Sequence, residues 1–140
     1  MSRDRLFLDT VFVQALYNHR DQYHQRALSL LPQVEAAAEA WITEAILIEV
    51  GNGLSATNRK GASAFIESCY QTTNIRVVAM NTALLREGLA LYRARADKAW
   101  GLTDCISFVV MKAQSLRDAV TADVHFMQAG YRAPMVNSTR

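Results

Sequence analysis

The chain has 140 residues, of which 51% are hydrophobic and 20% charged, and its net charge is +2. That composition excludes a disordered chain and gives one domain, residues 1–140, enough apolar material for a core. No uninterrupted apolar run approaches a membrane span and no secretory leader opens the chain, so the expected location is the cytoplasm, and the small positive charge permits an anionic partner without demanding one.

In chain order, short apolar runs alternate with helical stretches. Leu6–Asp9 reads as the first strand and Thr10–His19 as a short helix. Asp21 is placed to cap a second helix, Gln22–Glu39, which Pro32 divides or kinks. Ala40–Thr43 is a short strand, and Thr43 then caps a helix over Glu44–Ala56. Gly61–Thr72 is a further helix, with Phe65 and Cys69 one turn apart on one face. The β-branched run Ile75–Met80 is a strand. Asn81 caps a helix ending near Arg95, and Thr103 caps a helix over Asp104–Gln114. Ala119–Ala122 is a strand, and Val124–Ala129 is a helix stopped by Gly130. Tyr131–Val136 can add a last edge strand, where Pro134 is tolerated. Strands alternating with helices imply an α/β sandwich around a mostly parallel sheet, with ligands beyond the carboxyl ends of its strands.

Four carboxylates lie in apolar company. Asp9 closes Leu6-Phe7-Leu8, and Glu49 sits within Ile46–Val50. Asp104 opens Cys105–Met111, and Asp123 closes Ala119–Ala122. Desolvating an acid is costly, so acids are rarely buried without a partner. A shared cation offsets that cost. Carboxylates without His or Cys among them suit a hard ion such as Mg²⁺ or Mn²⁺. Each acid alone has a plainer explanation: Asp9 and Asp123 as helix caps, Asp104 as a favourable charge at a helix start. Glu49, in mid-helix among apolar neighbours, has none. Packed together without a cation, the four would raise one another's pKa, so a metal-free site is expected to be partly protonated or disordered. Thr10 and Thr121 are placed to hydrogen-bond these acids.

Neighbouring residues are less specific. His125 reads more readily as a capping or packing residue than as a catalytic acid, and His19 and His24 make no recognisable metal pair. Trp100 reads as a loop aromatic over the core before a platform for a base. Arg86, Arg93, Arg95 and Lys98 can form a phosphate track or a solvated face, the latter with an Arg93–Asp97 pair. Arg59 and Lys60 are similarly placed. Cys69 and Cys105 lack metal spacing and read as reduced core thiols. Other phosphate chemistries fail on sequence. Position 11 is Val where a haloacid-dehalogenase-type site needs Asp, no P-loop exists, and Gly51-x-Gly53 falls inside a helix.

Leu8-Asp9-Thr10 after a strand, Glu49 in Leu47-Ile48-Glu49-Val50, Leu102-Thr103-Asp104-Cys105-Ile106-Ser107 and Thr121-Ala122-Asp123-Val124-His125-Phe126 together resemble the PIN-domain ribonucleases. Many of these are toxins of bacterial VapBC toxin–antitoxin systems. The resemblance runs over essentially the whole chain and rests most on the last two motifs. It implies a PIN-like three-layer α/β/α domain in which Asp9, Glu49, Asp104 and Asp123 hold Mg²⁺ or Mn²⁺ and cut RNA. It also implies a homodimer and a cognate antitoxin partner. The family often carries a further acid before the third motif, which Asp97 matches loosely, and Val124 stands where a basic or polar residue is more familiar. A non-catalytic RNA-binding or scaffolding relative would be marked by loss of an acid, and none of the four is missing.

Overall fold

The computed structural model describes residues 2–136. Its elements run β1 (Arg5–Leu8), α1 (Thr10–Tyr17), α2 (His24–Ala36), β2 (Glu39–Thr43), α3 (Glu44–Gly53), α4 (Arg59–Gln71), β3 (Ile75–Val78), α5 (Thr82–Ala94), α6 (Leu102–Ala113), β4 (Asp118–Val120) and α7 (Val124–Gln128). The four strands form one sheet in the order β3-β2-β1-β4, and every pairing is parallel. Phe7 lies opposite Trp41, and Leu8 opposite Val120.

The middle strand shows why the sheet needs a helical layer on each side. Leu6, Phe7 and Leu8 are all buried, whereas a half-solvated strand would alternate. Successive side chains leave a strand on opposite faces. Leu8 joins Phe12, Leu16, Val34 and Phe65 of α1, α2 and α4 around an apolar cavity of about 250 Å³. Phe7 points the other way, to Phe126 of α7 at 6.2 Å between ring centroids. Phe126 meets Phe108 of α6 edge-on at 4.9 Å, and Trp100 meets the same Phe108 at 5.0 Å. The result is the expected three-layer α/β/α domain.

Local chemistry sets most element boundaries. Thr43 accepts from the backbone N–H of Ile46, Asn81 from Leu84 and Asn58 from Gly61, each satisfying an otherwise unpaired donor of a first turn. Gly130 takes a positive φ of 98°, and the N–H of Tyr131 returns to the carbonyl of Phe126, ending α7.

Several expectations need correction. The helix of the third motif starts at Leu102 with Gly101 as its cap, rather than at Asp104 with Thr103 as its cap, because the Asp104 carboxylate reaches back to the Gly101 N–H. The second helix begins at His24, since Asp21 accepts from the N–H of Tyr23 in a turn that precedes it. Pro32 does not divide that helix. It lies on the exposed face, where water can take the carbonyl that loses its donor. Tyr131–Val136 is not a strand: it contributes one bridge, Asp118 to Arg132, and then turns back through the N–H of Val136 to Ala133. Its place at the sheet edge is held by packing instead, with Ala133 and Met135 buried.

The strand order fixes where a ligand can sit. From β1 the chain moves to β2 and β3 on one side, then crosses to β4 on the other. The carboxyl ends of β1 and β4 therefore flank the switch point, where open parallel sheets bind ligands.

Candidate active site

Asp9 follows β1 directly and Asp123 lies just beyond β4, so both acids stand at the switch point. Glu49 comes from the second turn of α3 and Asp104 from the first turn of α6. All four line one cleft of about 350 Å³, together with Thr10, Val11, Gln14 and Asn52.

Asp9 is the innermost. It is only 4% exposed. It occupies the N-cap position of α1 but makes no side-chain capping bond. Instead its Oδ2 accepts from the Thr121 hydroxyl at 2.7 Å. The plain capping explanation therefore fails for this residue. Burial pushes its carboxyl up to about 7, the Thr121 hydroxyl and the Thr10 backbone N–H oppose that shift, and the charges of Asp104 and Asp123 add to it. Burial, rather than repulsion among the acids, is the main cause of that shift.

Threonines hold two of the acids. The Thr121 hydroxyl also accepts the backbone N–H of Asp123 at 3.0 Å, so one side chain sets Asp9 and Asp123 relative to each other. Thr10 donates to Glu49 Oε1, tying α1 to α3 across the cleft.

Asp104, Asp123 and His125 form the tightest group, with one potential ligand atom from each within 4.8 Å of the others. His125 Nδ1 lies 2.9 Å from Asp104 Oδ2 and 3.4 Å from Asp123 Oδ1. A bond to a carboxylate requires the proton on Nδ1. The Gly101 N–H approaches the same Asp104 Oδ2 at 3.1 Å. Among the described residues no side chain or backbone donor takes Asp104 Oδ1. Asp123 does cap its helix, accepting from the N–H of His125 at 2.9 Å, so for this residue the plain explanation holds.

Sequence reasoning weighed His125 without seeing its contact with Asp104. The signal was the Asp-x-His spacing, which puts the imidazole one residue beyond a capping acid and turns it back toward α6. Two other expectations are corrected. Asp97 stays outside the cleft, exposed and bound by Arg95 through two contacts of 3.0 Å. Arg93 is not its partner, because α5 ends at Ala94 and helical i,i+4 geometry does not extend to Asp97. Trp100 covers the core, the reading its sequence context favours: it is 6% exposed, packed on Phe108, and its indole N–H reaches Gln128 at 3.0 Å. Cys69 and Cys105 are free and buried as expected, and burial pushes the Cys69 thiol up to about 12.

A family model described as PIN domain matches residues 6–130, which spans all four acids. The chain belongs to the PIN domain family. Solved structures with the same fold include VapC20 of Mycobacterium tuberculosis, a sarcin-ricin loop cleaving toxin. It is 23% identical, with a TM-score of 0.81 over 90% of this chain and 95% of that one. VapBC2 of Rickettsia felis, solved bound to a DNA fragment from its promoter, is 14% identical, with a TM-score of 0.60 over 91% and 95%. FitAcB of Neisseria gonorrhoeae is 17% identical, also at 0.60 over 91% and 95%. No curated protein matches this PIN domain in sequence at a significant level. Among its described residues no helix is long and apolar enough to cross a membrane.

Proposed function

We propose that this PIN domain is a metal-dependent endoribonuclease acting in the cytoplasm as the toxin of a toxin–antitoxin pair. The observation that carries the proposal is the meeting of Asp9, Glu49, Asp104 and Asp123, from four separate elements, in one cleft at the switch point. Family membership and the likeness to a cleaving toxin support the same reading.

The donor set fits a hard divalent ion. Every proposed ligand atom is a carboxylate oxygen, and the buried Asp9 carries a charge that a cation would stabilise. Asp9 and Asp104 are assigned as direct ligands of Mg²⁺ or Mn²⁺, with Glu49 and Asp123 completing the shell directly or through water. When bound, such an ion supplies positive charge for phosphoryl oxygens and acidifies a water for attack on phosphorus.

The protein's own residues do the positioning. Thr121 fixes Asp9 and Asp123 together, and Thr10 fixes Glu49. His125 and the Gly101 N–H hold Asp104 by Oδ2, which leaves Oδ1 without a donor among the described residues. Outer-shell contacts of this kind set ligand rotamers and basicity. A homodimer is proposed as the assembled form. The proposed antitoxin silences the site by placing an Arg or Lys against the acids, a pairing that electrostatics favours.

The test is incubation of the purified protein with mixed cellular RNA in Mg²⁺ or Mn²⁺, against EDTA and against Asp104→Asn. Cleavage that needs metal and disappears in the variant supports the proposal. Equal cleavage in EDTA, or by the variant, overturns it.

A further inference from the structure

The connection between α5 and α6 forms a second groove beside the acidic cleft. It has a volume of about 530 Å³ and is lined by Tyr92, Arg93, Arg95, Lys98, Trp100 and Gly101, with small alanines between. Gly101 links the two: it lines the groove, and its N–H contacts Oδ2 of Asp104, which lines the cleft. We propose that this groove grips the phosphates and one base of a single-stranded RNA segment next to the bond being cut, an inference that rests on the ribonuclease reading above.

Charge and partnering carry the argument. Residues 92–98 hold three cations and one acid, a net charge equal to that of the whole chain. The cations have different duties. Arg95 is committed: both its guanidinium contacts go to Asp97, and its guanidinium carbon lies 4.9 Å over the Trp100 ring. It braces the connection and props the groove open. Arg93 and Lys98 have no carboxylate partner among the described residues, so their charge is available. Tyr92, 48% exposed, has no aromatic neighbour and no hydrogen bond among the described residues. An exposed aromatic in one groove with free cations suits a single strand, whose bases can unstack onto a ring while its phosphates meet the cations. The placement also answers an electrostatic problem. Four clustered acids repel an anionic substrate, and a cationic groove linked to them through the Gly101–Asp104 contact restores attraction on one side.

The experiment measures binding of a short fluorescent single-stranded RNA over a range of salt, in Mg²⁺, on a non-cleaving Asp104→Asn background. Three changes are added in turn: Tyr92→Ser, the pair Arg93→Gln/Lys98→Gln, and a control pair Arg3→Gln/Arg76→Gln that alters charge equally at the amino ends of β1 and β3. Each single-strand phosphate contact contributes about 0.7 to the slope of log affinity against log salt, so the groove pair flattens it by about 1.4. Tyr92→Ser weakens binding at least about 5-fold, as loss of one stacked base requires. The control pair changes neither to that extent. Native-like binding by the groove variants overturns the proposal, as does an equal effect of the control pair. Cleavage by the otherwise native chain would then still stand, separating this failure from failure of the ribonuclease reading. Absence of both RNA binding and RNA cleavage removes both.

Discussion

Asp9 is where the electrostatics are sharpest. Its carboxyl, ordinarily near 3.8, is pushed up to about 7 chiefly by burial. Between these values the folded metal-free chain keeps a proton that the unfolded chain has lost. This group's contribution to stability is thus full below pH 3.8 and is lost as pH rises through about 7. Asp9→Asn, in EDTA, should raise the melting temperature by several degrees at pH 8, by a smaller amount at pH 5 and little near pH 3, as thermal denaturation will show. A lower melting temperature at pH 8 would mean that the Thr121 hydrogen bond outweighs burial. His125 calls for a different test. Through Nδ1 it holds Asp104, so His125→Ala should keep the fold and lower cleavage about 10- to 100-fold, the usual effect of losing an orienting partner. Unchanged steady-state cleavage would reduce His125 to packing. The acids were legible because each interrupts an apolar run, which physical chemistry penalises without a partner. The His125–Asp104 contact was not, because it spans 21 positions and depends on how α7 lies against α6.

Among the elements, α6 matters most, because it carries Asp104 and packs along α5 with Gly88 at the crossing. A Cβ at Gly88 would lie 2.6 Å from Ile106 Cγ1 and 3.4 Å from the Ile106 backbone. Overpacking of this kind costs about 1–3 kcal/mol, more than the roughly 1 kcal/mol that Ala gains over Gly in a helix. Gly88→Ala should therefore lower the melting temperature by several degrees and, with Asp104 two residues from Ile106, lower cleavage as well. A more stable variant would show that the two helices separate without penalty. Helices and strands were legible from period and caps: Thr43 and Asn81 cap as their sequence context requires. Boundaries failed where a different local partner was chosen, as at Gly101–Asp104, where the carboxylate reaches back three residues to the cap N–H. The last segment failed as a strand because Asp118 and Arg132 offer one bridge, and the chain turns before a second can form.

For the whole molecule, the strand order β3-β2-β1-β4 turns four acids scattered between positions 9 and 123 into one site. The alternation of strands and helices implied convergence at the carboxyl edge, but the sequence could not say that β4 pairs with β1. That pairing is what brings Thr121 to Asp9. If one ion is held by all four acids, metal binding is coupled to the stability of the entire domain. Mn²⁺ at 100 times its dissociation constant should stabilise the native chain by about 2.7 kcal/mol, seen as a rise in melting temperature. The most direct measurement is calorimetric titration of Mn²⁺ into the native protein and into Asp9→Asn, Glu49→Gln, Asp104→Asn and Asp123→Asn, all at pH 8. The shared-ion account expects binding by the native chain, weakened in every variant and most in Asp9→Asn and Asp104→Asn. Native-like affinity in the Asp9→Asn and Asp104→Asn variants, or no binding by the native chain, would contradict it.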